Sequence, residues 1–300
     1  DGEVNRIQID RLKDKLGNRS NASSEIRLDN AHARMVGEEG RGVPTIIEMV
    51  NFTRLDCVLG STGLMREAVA QATHHTAHRS AFGKLLSEQP LMQNVLADLC
   101  VESEAATVTA ARLARACDDA PNDPQATLFK RLALAVSKYW ICKSAVWHVA
   151  EALECFGGNG YVEESGMPRI YRETPLNSIW EGSGNVNCLD VLRAMARSPE
   201  SVQAFLDEVE LAGDPRVTRA ADSIRRELAD LEDIEFRARR VVETMAIALR
   251  ASLLVRHGDE AVADAFCATR LEGDRGRALG TLPRGVDCAR IVARHTPALA

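Results

Sequence analysis

At 300 residues the chain is long enough for one large domain or two ordinary ones, with ample core. Apolar residues make up 45 %, charged residues 27 % and aromatics 4 %, a globular, helix-favouring profile rich in Ala, Leu, Arg and Glu. The net charge of −6 gives no general reason to expect nucleic acid or anionic membrane as a partner, and no apolar run approaches the ~18 residues of a membrane span.

No charged-then-apolar signal opens the sequence. The eight cysteines contain no Cys-x-x-Cys pair, and several, such as Cys100, Cys142 and Cys155, fall inside helical patterns where a free Cys behaves as a small apolar residue. This usage predicts a reducing cytoplasm and no zinc site. The chain has no initiating Met and opens within a strand-like pattern, which predicts a piece of a longer protein.

Residues 1–30 are the only strand-like stretch. Val4, Ile7 and Ile9 lead into Lys13-Asp14-Lys15-Leu16-Gly17-Asn18-Arg19-Ser20, and Ile26 and Leu28 then alternate with Arg27 and Asp29. Two strands are not stable alone, so the rest of their sheet is expected outside this sequence. Gly37-Glu38-Glu39-Gly40-Arg41-Gly42 follows.

A long helix is predicted from near Pro44, a first-turn residue, to about His78. His74, His75 and His78 include the i, i+4 spacing of a helical metal site. No carboxylate-rich motif accompanies them, so a polar helix end that suits the dipole is expected and no metal. Arg79-Ser80-Ala81-Phe82-Gly83-Lys84 is a turn, and Leu91 to Leu113 mark a second helix. Pro121-Asn122-Asp123-Pro124 is a loop. A third helix runs through Phe129 to Phe156 and is stopped by Gly157-Gly158-Asn159-Gly160. A loop containing Pro168 and Pro175 leads to a fourth helix from about Ser183. Four antiparallel helices with short connections predict a bundle. Beyond Pro199 further helices are expected at roughly 200–212, 215–256 and 258–272, then a loosely ordered tail rich in Gly, Arg and Pro.

The stretch most able to carry chemistry is Asn177-Ser178-Ile179-Trp180-Glu181-Gly182-Ser183-Gly184-Asn185. It sets one carboxylate, Glu181, beside a bulky apolar pair. Desolvation there would raise its pKa toward that of a general base, and Gly182 and Gly184 leave room for a flat ligand. A turn and helix cap with an exposed Glu181 is the alternative reading of the same residues.

Ile-Trp-Glu-Gly-Ser-Gly-Asn resembles the catalytic-base motif of the acyl-CoA dehydrogenase family, in the form of its AidB branch, which is linked to the bacterial response to alkylating agents. Lys-Leu-Gly-x-Arg-x-Ser, Arg79-Ser80-Ala81-Phe82-Gly83 and the Gly157-Gly158 segment resemble other blocks of that family. The resemblance implies a mainly α fold: residues 1–30 a remnant of the β domain, 31–198 the C-terminal four-helix bundle, and 199–300 the extra helical region of the AidB branch. The N-terminal helical domain and most of the β domain are then absent.

The resemblance also implies the chemistry. FAD is the cofactor and an acyl-CoA the substrate. Glu181 is the base that takes the α-proton, its backbone N–H helps polarise the thioester carbonyl, and Trp180 lines the substrate slot. Arg79 and Phe82 reach the FAD of a neighbouring subunit, so a dimer or tetramer is expected. Gly157, Gly158, Ser183 and Asn185 are further FAD contacts. The family's two Gln contacts read Pro90 and Glu154 here. Gln89 stands one residue early as a substitute, while a Glu facing a pyrophosphate is repulsive. Arg172 matches a family Arg without an assigned role.

The branch further implies double-stranded DNA binding by the C-terminal helices. Arg216, Arg219, Arg225, Arg226, Arg237, Arg239 and Arg240 are interleaved with acids, a pattern of solvated i, i+4 pairs. The tail arginines Arg270, Arg275, Arg277, Arg284, Arg290 and Arg294 are more plainly basic. Three functions stay open at this point: a flavoenzyme, a flavin-carrying DNA-protection protein with little dehydrogenase activity, and a fragment inactive by itself.

Overall fold

The computed structural model describes residues 2 and 4–298; residues 1, 3, 299 and 300, which the expected first and last divisions include, lie outside the described residues. The first 30 residues form an antiparallel hairpin of β1 (Ile7–Leu12) and β2 (Ser24–Leu28), Ile7 facing Leu28. Its apolar residues Ile7, Ile9, Leu12, Ile26 and Leu28 are exposed. What ties it to the helices is its turn: Gly17 lies so close to the Arg172 carbonyl that a side chain there would collide with it, and the Asn18 N–H donates to Glu173 Oε1 at 2.7 Å.

Helix α1 (Gly42–His78) carries Pro44 in its first turn and His75 and His78 in its last, as the end-preferences of Pro and His dictate. A two-strand turn, β3 (Ser80–Ala81) and β4 (Lys84–Leu85), reverses the chain into α2 (Pro90–Asp119), and Asp123 caps α3 (Pro124–Glu154) by accepting from Gln125 N–H. Ala97, Ala105, Ala106 and Ala110 on α2 face a core that also holds Ala133, Ala145 and Ala152 of α3, which lets the helices pack closely around Val58, Met65 and Val69 of α1. With α5 (Gly184–Arg197), these make the expected four-helix bundle.

Three expectations are corrected. The segment with Pro168 and Pro175 is a helix, α4 (Met167–Asn177), not a loop. Pro168 sits in its first turn, and the Tyr171 carbonyl that Pro175 cannot bond accepts from Thr174 Oγ1 at 2.8 Å. The expected helix 215–256 is two, α7 (Pro215–Ala229) and α8 (Ile234–His257), following α6 (Glu200–Glu210). Asp233 turns left-handed at the break (φ 49°), and Arg237 donates to the freed carbonyls of Asp230 and Glu232 at 2.6 and 2.9 Å. The tail after α9 (Glu260–Phe266) is ordered against α2 instead of loose. Buried Asp98, Glu102 and Glu104 on α2 demand donors, and the tail supplies Gly280 N–H, Arg270 and Arg294, the last from α10 (Cys288–His295).

Helix α8 is buried along its length through Val241, Val242, Met245, Leu249, Leu253 and Leu254, and it packs on α2, α3 and α5 as well as on α6 and α7. One continuous apolar cluster therefore runs from the bundle into the region beyond Pro199. Arg250, 1 % exposed, donates to Glu102 Oε2 at 2.7 Å inside that junction. Among the described residues no helix is long and apolar enough to cross a membrane.

Candidate active site

The Glu181 segment is a turn whose main chain faces inward. Glu181 (φ 57°) and Gly182 (φ 100°) are both left-handed, a conformation Gly adopts freely and Glu only under constraint. The constraint is visible. Lys138 Nζ, from the middle of α3, donates to the carbonyls of Trp180 (2.8 Å) and Gly182. Arg54 Nε of α1 donates to the Glu181 carbonyl at 3.1 Å, and Asn187 Nδ2 of α5 donates to those of Gly182 and Ser183. Four successive carbonyls, from Trp180 to Ser183, are thus held by two cations and an amide. The Glu181 N–H makes no main-chain bond of its own among the described residues.

Behind the turn, Asp190 of α5 accepts from Arg54 Nη1 (2.7 Å) and Arg131 Nη2 (3.0 Å). Burial pushes the Asp190 carboxyl up, but the two guanidiniums outweigh it and hold it below its ordinary value. Lys138 is 1 % exposed, and burial pushes its ammonium pKa down. Sequence reasoning missed Lys138, Arg54, Asn187 and Asp190. The signal for Lys138 was present: a lone charge at the i+4 step from Leu134 and the i−4 step from Cys142, within an otherwise apolar stripe of α3.

The expected dry flank of Glu181 is corrected. Ile179 is 61 % and Trp180 38 % exposed, so the apolar pair borders an open face instead of sealing the carboxylate. Trp180 Nε1 donates to Asn177 Oδ1 at 3.2 Å, which sets its ring beside the turn. Ser183 is exposed as the residue before α5. Asn185 accepts from Arg239 of α8 at 2.8 Å, so the region beyond Pro199 reaches this site.

The remaining expected site residues form a second group. Phe82 and Gly83, both left-handed, make the two-residue turn between β3 and β4, and Phe82 stands 97 % exposed. Arg79 is exposed beside it and enters no ion pair among the described residues. Gln89 Nε2 donates to the Ala81 carbonyl at 3.2 Å. Gly157 and Gly158 follow α3 with open space where a side chain would begin, and Phe156 stacks on His75 of α1 with ring centroids 4.4 Å apart. Burial, then the charges of Arg79 and His74, hold the His75 imidazole below its ordinary value. Exposed Glu154 opposes an anion here, as does exposed Glu88 beside Gln89. Arg172, left without a role, pairs with Glu163 at 2.7 Å.

The two groups do not meet within one chain. Arg54 beside Glu181 and His75 beside Phe156 are about 21 residues apart on α1, roughly 30 Å at ~1.5 Å per residue. Among the described residues no three His, Cys, Asp or Glu are grouped to hold a metal ion, and His78 Nδ1 instead lies 2.8 Å from the His74 carbonyl.

Residues 40–196 match the family model of the acyl-CoA dehydrogenase C-terminal domain. The chain belongs to the acyl-CoA dehydrogenase family. It is 41 % identical over 275 residues to AidB of Escherichia coli (strain K12), covering 91 % of this chain and 50 % of that protein. It is 33 % identical over 283 residues to acyl-CoA dehydrogenase family member 11 of Caenorhabditis elegans, covering 86 % and 46 %. Among solved structures, C. elegans ACDH-11 in complex with C11-CoA superposes with a TM-score of 0.84 at 31 % identity, over 90 % of this chain and 51 % of that one. A Bacillus anthracis acyl-CoA dehydrogenase complexed with FAD shares the fold, with a TM-score of 0.64 at 18 % identity over 89 % and 51 %. The chain thus spans about half the length of the acyl-CoA dehydrogenases it matches. Members of the acyl-CoA dehydrogenase family bind FAD, and the exposed Arg79, Phe82 and open Gly157-Gly158 backbone fit an anionic dinucleotide.

Proposed function

We propose that this chain carries the catalytic base and the cross-subunit half of the cofactor site of an FAD-dependent acyl-CoA dehydrogenase. The observation that carries this reading is the inverted turn at Glu181. A left-handed glutamate costs on the order of 1–3 kcal/mol and persists only where its surroundings enforce it, as Lys138, Arg54 and Asn187 do here.

In this reading Glu181 takes the Cα proton of an acyl-CoA thioester, and its backbone N–H steadies the carbonyl oxygen as charge builds there. Bound FAD would supply the acceptor for the hydride that leaves Cβ as the double bond forms. Trp180 borders the acyl slot. Arg79 and Phe82 hold the dinucleotide of the adjoining subunit with Gly157, Gly158 and Gln89, and Ser183 and Asn185 contact the flavin beside their own Glu181. The C11-CoA bound by ACDH-11 supports a medium-length acyl chain as the first substrate to try.

The reading in which the C-terminal helices bind DNA has less support. Arg216, Arg219, Arg225, Arg237 and Arg240 are each within 4.0 Å of a carboxylate, as are Arg270, Arg290 and Arg294 of the tail.

The test is a visible spectrum of the chain after FAD loading and desalting, then after adding a C11 acyl-CoA. A retained flavin band that bleaches in the wild type and persists in Glu181→Gln supports the reading. Equal bleaching in both removes Glu181 as the base, and no retained flavin removes the cofactor site from this chain acting alone.

A further inference from the structure

Between the bundle and the C-terminal region lies a cavity of about 610 Å³, within the roughly 300–1,000 Å³ of small-molecule sites. It is separate from the Glu181 turn. Lys138 serves that turn from one side of α3, whereas Trp140, Ser144, Trp147 and Glu151 line the cavity from another, Trp140 lying roughly 200° around the helix from Lys138.

Its unmatched groups describe a ligand. The indoles of Trp140 and Trp147 stand edge to face with centroids 5.7 Å apart. Trp140 Nε1 is buried and has no acceptor among the described residues, an uncommon state for an indole N–H. Glu151 on α3 and Glu243 on α8 make no ion pair among the described residues, and burial pushes both carboxyls up. The loop 273–279 brings Arg275 and Arg277 to the same cavity; neither makes an ion pair among the described residues, although the Arg275 charge draws Glu243 partly back down. Arg270 beneath them is different, being locked onto Asp98 and Glu102.

We propose that this cavity binds a mononucleotide, its amino-bearing base against Trp140, Trp147, Glu151 and Glu243 and its phosphate on Arg275 and Arg277. The choice follows from matching every free group. A neutral aromatic would leave the arginines unanswered, and a cationic amine would be repelled by them. Inorganic phosphate would leave the indoles and carboxyls unanswered. A nucleobase offers a flat face for the indoles, a ring nitrogen for the Trp140 N–H, and an exocyclic amine for the carboxyls. Guanidiniums suit its phosphate through paired N–H donors.

Calorimetric titration of the 300-residue chain with adenosine 5′-monophosphate tests this. The expected result is one saturable site that weakens at least about tenfold in the Arg275→Ala/Arg277→Ala double variant, while adenosine binding stays within about twofold. Both side chains are exposed, so the fold should hold, and an unchanged Tm checks it. Trp140→Phe keeps an aromatic ring, though a smaller one, and removes the donor, and should weaken nucleotide and nucleoside alike by roughly three- to tenfold. No saturable binding at millimolar nucleotide overturns the proposal, as does equal affinity in the double variant. Loss of binding in Arg79→Ala also overturns it, because the nucleotide would then sit at the β3–β4 turn.

Discussion

Lys138 holds the main-chain oxygen of Gly182, 44 residues further along the chain, and through it fixes where Glu181 stands. The same ammonium holds the Trp180 carbonyl at 2.8 Å. Lys138→Met would remove both bonds, leaving the Trp180 carbonyl without a donor and the Gly182 carbonyl with Asn187 alone. The expected loss is about 1–3 kcal/mol, the lower end applying because Asn187 still serves Gly182 and because a buried charge is removed at the same time. Urea unfolding measures it. FAD retention through Arg79 should survive while bleaching by acyl-CoA slows, since the hydrogen bonds of Lys138 among the described residues go to the turn. A variant that loses flavin and keeps its unfolding midpoint would contradict this division of roles.

Arg79 and Glu181 stand roughly 30 Å apart along one chain, so an intact site needs both from different copies. Co-expressing tagged Arg79→Ala and Glu181→Gln chains is therefore expected to restore bleaching in the mixed oligomer, where one composite site has both residues. Each variant alone should be inactive, Arg79→Ala for want of flavin and Glu181→Gln for want of the base. Absence of rescue in a purified mixed oligomer would place both residues at one site within a single chain. Exposed Arg79 carries no ion pair among the described residues, so its removal should shift stability by no more than about 0.5 kcal/mol.

The bundle was legible because its signals are local. Pro44, Pro90 and Pro124 start helices, Gly157 ends one, and apolar residues recur in threes and fours between them. Helix α4 was not, because two prolines read as loop chemistry until Thr174 is seen to answer the orphaned Tyr171 carbonyl. The order of the tail was hidden for a different reason. Gly280, Leu282 and Arg294 find Asp98, Asn94 and Glu104 across more than 180 residues, and composition reports no such pairing. At the site, Glu181 and its neighbours carried a recognisable motif. The cations behind them sit on two other helices and became visible only when those helices packed.

Gly182 has φ 100°, and a side chain there would meet Val186 Cγ1 at 3.0 Å. Gly182→Ala is expected to destabilise the chain by about 1–2 kcal/mol and to slow bleaching more than it weakens FAD retention. Gly63→Ala on α1 is the control, since open space surrounds that position, its φ is unremarkable and it belongs to neither group of site residues. Equal effects of the two on thermal midpoint and on bleaching would mean that the Glu181 turn is not held as tightly as its bonds indicate.

Glu104 gives the stability of this fold a pH dependence with a definite sign. It accepts from the Asp259 N–H at 3.1 Å and from Arg294 at 3.0 and 3.2 Å, and lies 3.0 Å from His295 Nε2. Burial pushes its carboxyl up, but the bonds to His295, Arg294 and Asp259 outweigh burial and bring it down to about 2, against an ordinary 4.5. The unfolded chain therefore binds this proton first as pH falls. The contribution is fully present above about pH 4.5 and fades as pH drops through 2. Glu104→Gln should cost on the order of 2–3 kcal/mol at neutral pH, and its deficit should shrink steadily below pH 4.5. Glu102, Asp190 and Glu208 are held down by arginines too, so the wild type alone would report all of them at once. The difference between wild type and Glu104→Gln, taken from urea midpoints at pH 7, 4 and 3, isolates the one clasp between α2 and α10. A deficit that stays constant across that range would mean Glu104 holds the tail by shape, with its charge contributing nothing.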